Sequence, residues 1–366
     1  LNNVQNVGRD GWVATVTAGE AAAAFLAAHR TVVLTHARPD GDALGSTLAL
    51  VRALKHAGRD AEAWFVGPMP RFAAALVRDT KVRVAAGAEG AAALVSSAAE
   101  PGAVAVVDTG SWMQIDVLGP WLRERADKAV VVDHHLGGDA DTAPRRLLDT
   151  AAAAAAEVIA PVCAGVLGVP VSRLPRDVAE ALFLGCATDT GWFKFSNTRP
   201  ATLRLAADLL DAGVDHAAVY EVVEQQDRPA RLKLLGRALD ALAWYGGGRV
   251  AVMTLTRADF DSTGGDAEDA GGFASDVLNV AGAQVAVVLT EVLNPGKAGG
   301  ATVKVSTRSK PGPNAVDVAA VCATLGGGGH ARAAGVKLAM PMDKAKAAVL
   351  RALGVAEAAG GCGGGA

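Results

Sequence analysis

The chain has 366 residues, 51% hydrophobic and 4% aromatic, with 35 Lys and Arg against 38 Asp and Glu, a formal net charge of −3. This length exceeds what one hydrophobic core usually holds, so two domains are expected. The charge excludes a broad basic face for long nucleic acid but leaves room for a small anionic ligand, and no uncharged apolar run reaches membrane-spanning length.

The richest apolar run, Ala151 to Ala156 and onward, is interrupted by Glu157 and Pro161. Leu1 to Gly11 has no basic stretch followed by an apolar core, so it does not read as a signal peptide. The cysteines Cys163, Cys186, Cys322 and Cys362 have no metal-like spacing and fit a reducing cytoplasm.

From Thr31 to Gly191, short β-branched runs alternate with Ala- and Leu-rich helical segments. The expected strands are Val32–His36, Glu62–Val66, Val104–Asp108 and Ala129–Asp133. Between the first two, the segment 47–56 aligns Leu48, Val51 and Leu54 on one helical face, and Gly58 ends it. Near-continuous apolar strands joined by helices predict a parallel sheet covered on both sides. Ligands then bind beyond the carboxyl ends of the strands, where His36, Asp108 and Asp133 fall. A charged helical stretch from about Ala201 to Ala243 reads as a connector. A second set of strands is expected over residues 249–256, 284–292 and 302–307, with a helix over 316–325 that runs into Gly326–His330. The Gly-rich tail after Ala358 is expected to be disordered. The fold class is therefore α/β. The expected layout is an N-terminal extension (1–19), a parallel-sheet domain (20–215), a helical connector (216–245), a smaller α/β domain (246–354) and a tail (355–366).

Four polar clusters sit at the ends of apolar segments. They are His36-Ala37-Arg38-Pro39-Asp40-Gly41-Asp42, then Asp108, then Asp133-His134-His135, then Asp189 between two threonines. Pro39 biases Arg38 towards extended geometry and Gly41 permits a turn, so Asp40 and Asp42 would project from an exposed loop. Each cluster has a plainer reading. Asp42 or Ser46 would cap a helix starting near Gly45, and Asp108 and Asp189 would be turn residues. Taken together, hard acidic oxygens with imidazole nitrogens suit divalent metals of the manganese kind. Their number suggests two metals, an arrangement associated with phosphate ester hydrolysis. Gly326–Gly329 with His330 would cradle phosphate through backbone N–H groups, and Arg308 would pair with phosphate or simply be a solvated strand-end residue.

These motifs together resemble the DHH phosphoesterase superfamily. Its pattern His-x-x-Pro-Asp-Gly-Asp-x-x-Gly-Ser reads from His36 to Ser46, its second motif at Val107-Asp108, and its name-giving motif at Asp133-His134-His135. The fourth motif reads from Gly185 to Gly191. The Gly-Gly-Gly-His-x-x-Ala-Ala-Gly of the DHH-associated domain reads from Gly327 to Gly335. The likeness covers roughly residues 20 to 350, and its size is similar to that of the nanoRNase/pAp-phosphatase group.

The resemblance implies that His36 and Asp40 hold one metal, that Asp42, His134 and Asp189 hold the other, and that Asp108 bridges them. Asp133 would orient its neighbours, and His135 would lie near the scissile phosphate. Arg308, Gly327, Gly328, Gly329 and His330 would grip substrate from the second domain, placing the site in a cleft between domains. The implied cofactors are two Mn²⁺, with other divalent metals able to substitute. The implied substrates are short RNA or small nucleotides, with neither long nucleic acid nor membrane as partner, and a homodimer is compatible with it. The implied function is hydrolysis of short oligoribonucleotides or pAp. A dedicated cyclic di-AMP/pApA phosphodiesterase is the near alternative. A single-strand exonuclease of the RecJ kind would need a further strand-binding domain and a basic groove. A non-catalytic nucleotide-binding module would not need six ligands. Inorganic pyrophosphatase shares the first domain type but lacks the Gly-Gly-Gly-His motif.

Overall fold

The computed structural model describes residues 11–292, 302–312 and 314–356, without the side chain of His330. The readings of the first ten residues, of Cys362 and of the Gly-rich tail lie outside the described residues. The chain divides into two compact units, Leu1–Gln226 and Asp227–Ala366, and the division falls inside the stretch read as a connector. Among the described residues no helix is long and apolar enough to cross a membrane.

The first unit is built on strands β1 (Arg30–Leu34), β2 (Asp60–Val66), β3 (Val82–Ala85), β4 (Ala103–Val107), β5 (Ala129–Asp133) and β6 (Arg145–Leu148). All pair in parallel, in the order β3-β2-β1-β4-β5-β6. The order reverses between β1 and β4, which makes the crevice beyond their carboxyl ends the expected ligand position. Alternate strand residues enter opposite cores. Val33, Phe65, Ala105 and Val132 pack with the helices Ala18–Ala27, Gly41–His56, Ala155–Leu167 and Arg176–Asp189, while Val32, Trp64, Val104 and Val131 pack with Ile115, Leu118 and Trp121. Each fully buried Val or Leu side chain contributes about 1.5–3 kcal/mol, so strands apolar on both faces are held firmly.

The sequence reading caught the four central strands and missed β3 and β6. These are the edge strands, and their Arg83, Arg145 and Arg146 blur the apolar signal. The helix Gly41–His56 begins at Gly41 rather than near residue 45, because Asp40 caps it. Pro161 lies inside the helix Ala155–Leu167 instead of interrupting the run, and Glu157 lies in that helix's first turn.

The second unit has strands β7 (Ala243–Tyr245), β8 (Val250–Leu255), β9 (Val285–Glu291), β10 (Val303–Ser309), β11 (Gly328–His330) and β12 (Ala333–Leu338). Their order is β11-β12-β10-β9-β8-β7; β8 and β9 pair in parallel and the remaining pairs are antiparallel. One face packs against the helices Val318–Ala323 and Met342–Ala352 through Val287, Val305, Cys322 and Val349. Together the two units form the expected α/β class. The helix expected over 316–325 is shorter, since Asp317 caps it and accepts from the N–H groups of Ala319 and Ala320.

Candidate metal centre

The switch point of the first sheet gathers all eight of its predicted site residues. His36 lies two residues beyond β1, Asp108 directly follows β4, and Asp133 ends β5. Three sets of side chains each bring their donor atoms within 4.8 Å of one another: His36, Asp40 and Asp108; Asp42, His134 and Asp189; and Asp108, His134 and His135. The Asp108 carboxylate faces both imidazoles, with Oδ2 at 3.5 Å from His36 Nε2 and Oδ1 at 3.4 Å from His134 Nε2.

Local chemistry explains these placements. Asp40 is the helix cap; its Oδ1 accepts from the N–H groups of Asp42 and Ala43, and its side chain remains exposed. Asp42 does not project from a loop. It is 1% exposed and accepts from the N–H groups of Ala155 and Ala156, which places it at the N-terminus of the helix Ala155–Leu167, where anions are favoured. Ser46 Oγ donates to the same carboxylate at 3.1 Å. Close helix packing makes this reach feasible. A Cβ on Gly41 would lie 2.3 Å from Thr188 Oγ1, one on Gly45 2.3 Å from the Ala181 carbonyl oxygen, and one on Gly185 2.5 Å from Asp42 Oδ1. Gly41 therefore serves close approach more than a turn. Arg38 is not extended either. Its φ is 59°, and its N–H donates to Val66 O at 2.8 Å, a tie to β2 that overrides the bias from Pro39. Asp189 ends the helix Arg176–Asp189, and Asn197 Nδ2 donates to its carbonyl at 3.2 Å.

Asp108 is 3% exposed and has a left-handed φ of 59°, a conformation that concentrates at functional sites. The three imidazoles are held from behind. His36 Nδ1 lies 3.1 Å from Ala37 O, His134 Nδ1 3.2 Å from Ala152 O, and His135 Nδ1 2.7 Å from Asp133 Oδ1. If each Nδ1 carries the proton, each Nε2 is left with its lone pair, and those of His36 and His134 face the acidic cluster. Asp133 Oδ1 also accepts from the N–H groups of His134 and His135, at 2.8 and 3.2 Å.

The electrostatics fit a cation. Among the described residues neither Lys nor Arg pairs with Asp40, Asp42, Asp108, Asp133 or Asp189, and Asp108 Oδ1 and Asp133 Oδ2 are buried without a hydrogen-bond partner. Buried carboxylates in this condition call for positive charge. Burial alone would lower the His36 pKa, but the hydrogen bond and charge of Asp108, with Asp40, raise it to about 9. His134 is likewise opposed by burial yet raised to about 10 by Asp108, Asp42 and Asp189. His135 is raised against burial by Asp133. Burial and the charges of Asp108 and Asp189 push Asp42 up. Burial takes Asp189 to about 6 despite His134. Asp108 is held low against burial by His134 and His36. Oxygen and imidazole donors of this kind suit a hard or borderline divalent metal.

In the second unit, Arg308 is half-buried near the end of β10, its NH1 donating to Thr307 O at 3.0 Å, and burial lowers its pKa. The glycine run is not an open loop. The N–H groups of Gly326 and Gly327 donate to Ala323 O and Cys322 O, and Gly328–His330 pairs with β12. Close approach requires these glycines, since a Cβ on Gly327 would lie 2.4 Å from Gly335 O and one on Gly329 2.5 Å from Ala333 O. The His330 side chain lies outside the described residues.

Sequence reading missed the supporting groups. Glu157 accepts from Arg199, Thr202 and the Ala153 N–H, and Asn197 joins Ala153 O to Asp189 O. The alanine backbone of residues 152–156 holds both Asp42 and His134. Only Glu157, a charge set in an alanine run, left a signal in the sequence.

A family model described as DHH family, N-terminal domain, matches residues 30–186, and one described as DHHA1 domain matches residues 247–358. The bifunctional oligoribonuclease and PAP phosphatase NrnA of Thermus thermophilus is 32% identical over 328 residues, covering 88% of either chain. The protein of that name from Mycoplasma pneumoniae is 28% identical over 206 residues, 55% of this chain and 59% of that one. The crystal structure of an exopolyphosphatase-related protein from Bacteroides fragilis shares the fold, with a TM-score of 0.81 at 22% identity over 93% of this chain and 98% of that one. The chain belongs to the DHH family, with the DHHA1 domain in its second unit.

Proposed function

We propose that this chain is a two-metal phosphoesterase that hydrolyses short oligoribonucleotides and pAp. The observation that carries the reading is Asp108, whose two oxygens each face a different imidazole-carboxylate set. The Thermus thermophilus relative, named for oligoribonuclease and PAP phosphatase activity, supports the substrate class. A dedicated cyclic-dinucleotide phosphodiesterase is less favoured, because both NrnA relatives are named for oligoribonucleotides and PAP.

His36 and Asp40 would hold one divalent ion, Asp42, His134 and Asp189 the other, and Asp108 both; manganese suits this donor set. When bound, such ions lower the pKa of water and offset charge on phosphoryl oxygens. The residues themselves do the positioning. His36 and His134 keep Nε2 turned to the cluster through their backbone hydrogen bonds. Asp133 fixes His135 and favours its protonated form, so that its ring can pass a proton to the departing oxygen. Arg308, the backbone at Gly327–Gly329 and His330 are proposed to take a substrate phosphate, Arg308 through its guanidinium charge. Three buried free cysteines, Cys163, Cys186 and Cys322, suit a cytoplasmic setting.

The test is hydrolysis of a diribonucleotide, pAp and cyclic di-AMP, side by side, with and without Mn²⁺. Manganese-dependent turnover of the first two is expected. Preference for cyclic di-AMP, or full activity with a chelator present, would overturn the reading.

A further inference from the structure

Trp12 lies outside every motif that carries the chemistry, yet its side chain is among the most completely enclosed in the first unit, at 1% exposure. Two glycines make room for it. A Cβ on Gly110 would lie 1.8 Å from Trp12 Cη2, and one on Gly138 would lie 2.6 Å from the same atom. Neither glycine has a left-handed φ, so the ring, and not the backbone, requires them. Gly110 stands two residues after Asp108, and Gly138 three after His135. The indole Nε1 then donates to the carbonyl of His135 at 3.2 Å. One ring thus packs against both loops that carry the central carboxylate and the histidine pair.

The strap that brings Trp12 here is itself secured. Val13 O accepts from Arg146 Nε, Thr15 N donates to Arg146 O, and Thr15 Oγ1 donates to Pro144 O. The two loops are also tied to each other, since Asp139 N and Thr142 Oγ1 both donate to Gly110 O. Trp12 is the wedge in this arrangement. It packs against the two loops and holds the carbonyl of His135, while Asp133 Oδ1 accepts from the His135 N–H.

We infer that Trp12 is a positioning residue for the reaction: through its hydrogen bond to His135 O and its contact with Gly110 and Gly138, it sets His135 relative to Asp108. The inference rests on the phosphoesterase reading. A misplacement of about 1 Å in a reacting group is enough to slow an enzyme by up to about a hundred-fold, so the effect belongs in kcat.

The experiment compares the full-length chain with Trp12→Phe, which keeps a ring and loses the donor, at saturating metal on a diribonucleotide. The expected result is kcat lower by about ten-fold or more with KM within about two-fold of wild type. Gly138→Ala, which crowds the ring, should give the same split. Phe25→Leu, a buried change in the other core of the same unit, controls for lost stability and should leave kcat unchanged. In a His135→Ala background, Trp12→Phe should have little further effect, because residues acting through one another are not additive. A wild-type kcat in Trp12→Phe, an equal loss in Phe25→Leu, or full additivity with His135→Ala would each overturn the inference. A wild-type chain that hydrolyses no phosphate ester would instead remove the reading beneath it, and the inference with it.

Discussion

The Nδ1 of His134 lies 3.2 Å from the carbonyl oxygen of Ala152, with which it can form a hydrogen bond, and this leaves Nε2 facing Asp108, Asp189 and Asp42 at 3.4, 3.8 and 4.0 Å. An unremarkable alanine peptide therefore aims the imidazole at three carboxylates. The arrangement makes Asp108 the residue whose loss is hardest to compensate, because it alone also faces His36. Asp108→Asn should lower kcat by about a hundred- to a thousand-fold, in line with the loss of a group central to charge stabilisation. Circular dichroism should be unchanged, and bound metal measured by atomic absorption should fall. Near-normal turnover would contradict the shared-carboxylate role.

Metal binding should expel protons. His36 at about 9 and His134 at about 10 both carry a proton at neutral pH, and a ligating imidazole must give it up. The sign follows: protons compete with the ion, so affinity climbs as pH rises. It should change by up to about ten-fold per pH unit for each proton released, and steepen below about 6, where Asp189 also holds one. Calorimetry in two buffers of different ionisation enthalpy reads the proton count directly. Absence of proton release at neutral pH would contradict His36 and His134 as ligands.

Arg308→Ala should separate substrate binding from metal binding. Loss of a charged hydrogen-bond donor predicts kcat/KM for pAp lower by roughly ten- to a hundred-fold, with metal content near normal. His330→Ala should behave alike. Both should affect bis-p-nitrophenyl phosphate less, since it lacks a second phosphate. Lost metal in either variant would contradict the assignment.

Substrate length should matter. A net charge of −3 gives a long phosphate backbone little to follow. Oligoribonucleotides of two to about five units should be cleaved much faster than one of about 20 at fixed ionic strength. Equal rates would contradict the short-substrate reading.

Gly45→Ala would set a Cβ 2.3 Å from the Ala181 carbonyl oxygen and 2.9 Å from Gly185 N. Backbone cannot yield as a side chain end can, so a cost of about 1–3 kcal/mol is expected. The helices bearing Asp42 and Asp189 would be forced apart. A lower Tm by scanning calorimetry should accompany weaker metal binding, and an unchanged Tm would show that the helix contact tolerates the methyl group.

The sequence by itself determined the class of the first unit, because β1, β2, β4 and β5 are apolar on both faces and only a sheet covered on both sides buries such strands. It also determined which acids and imidazoles cluster, because each motif follows a strand or ends a helix, and an unpaired charge in such a place has few structural uses. Tertiary structure alone decided how those groups are held. Asp40 and Asp42 stand two residues apart, yet one is an exposed cap and the other is buried at the N-terminus of a helix that starts at Ala155, more than a hundred residues later. Trp12 donates to the carbonyl of His135, the His134 imidazole meets that of Ala152, and Asn197 donates to those of Ala153 and Asp189. Every residue type carries the same carbonyl, so no sequence pattern could mark the one that would be used.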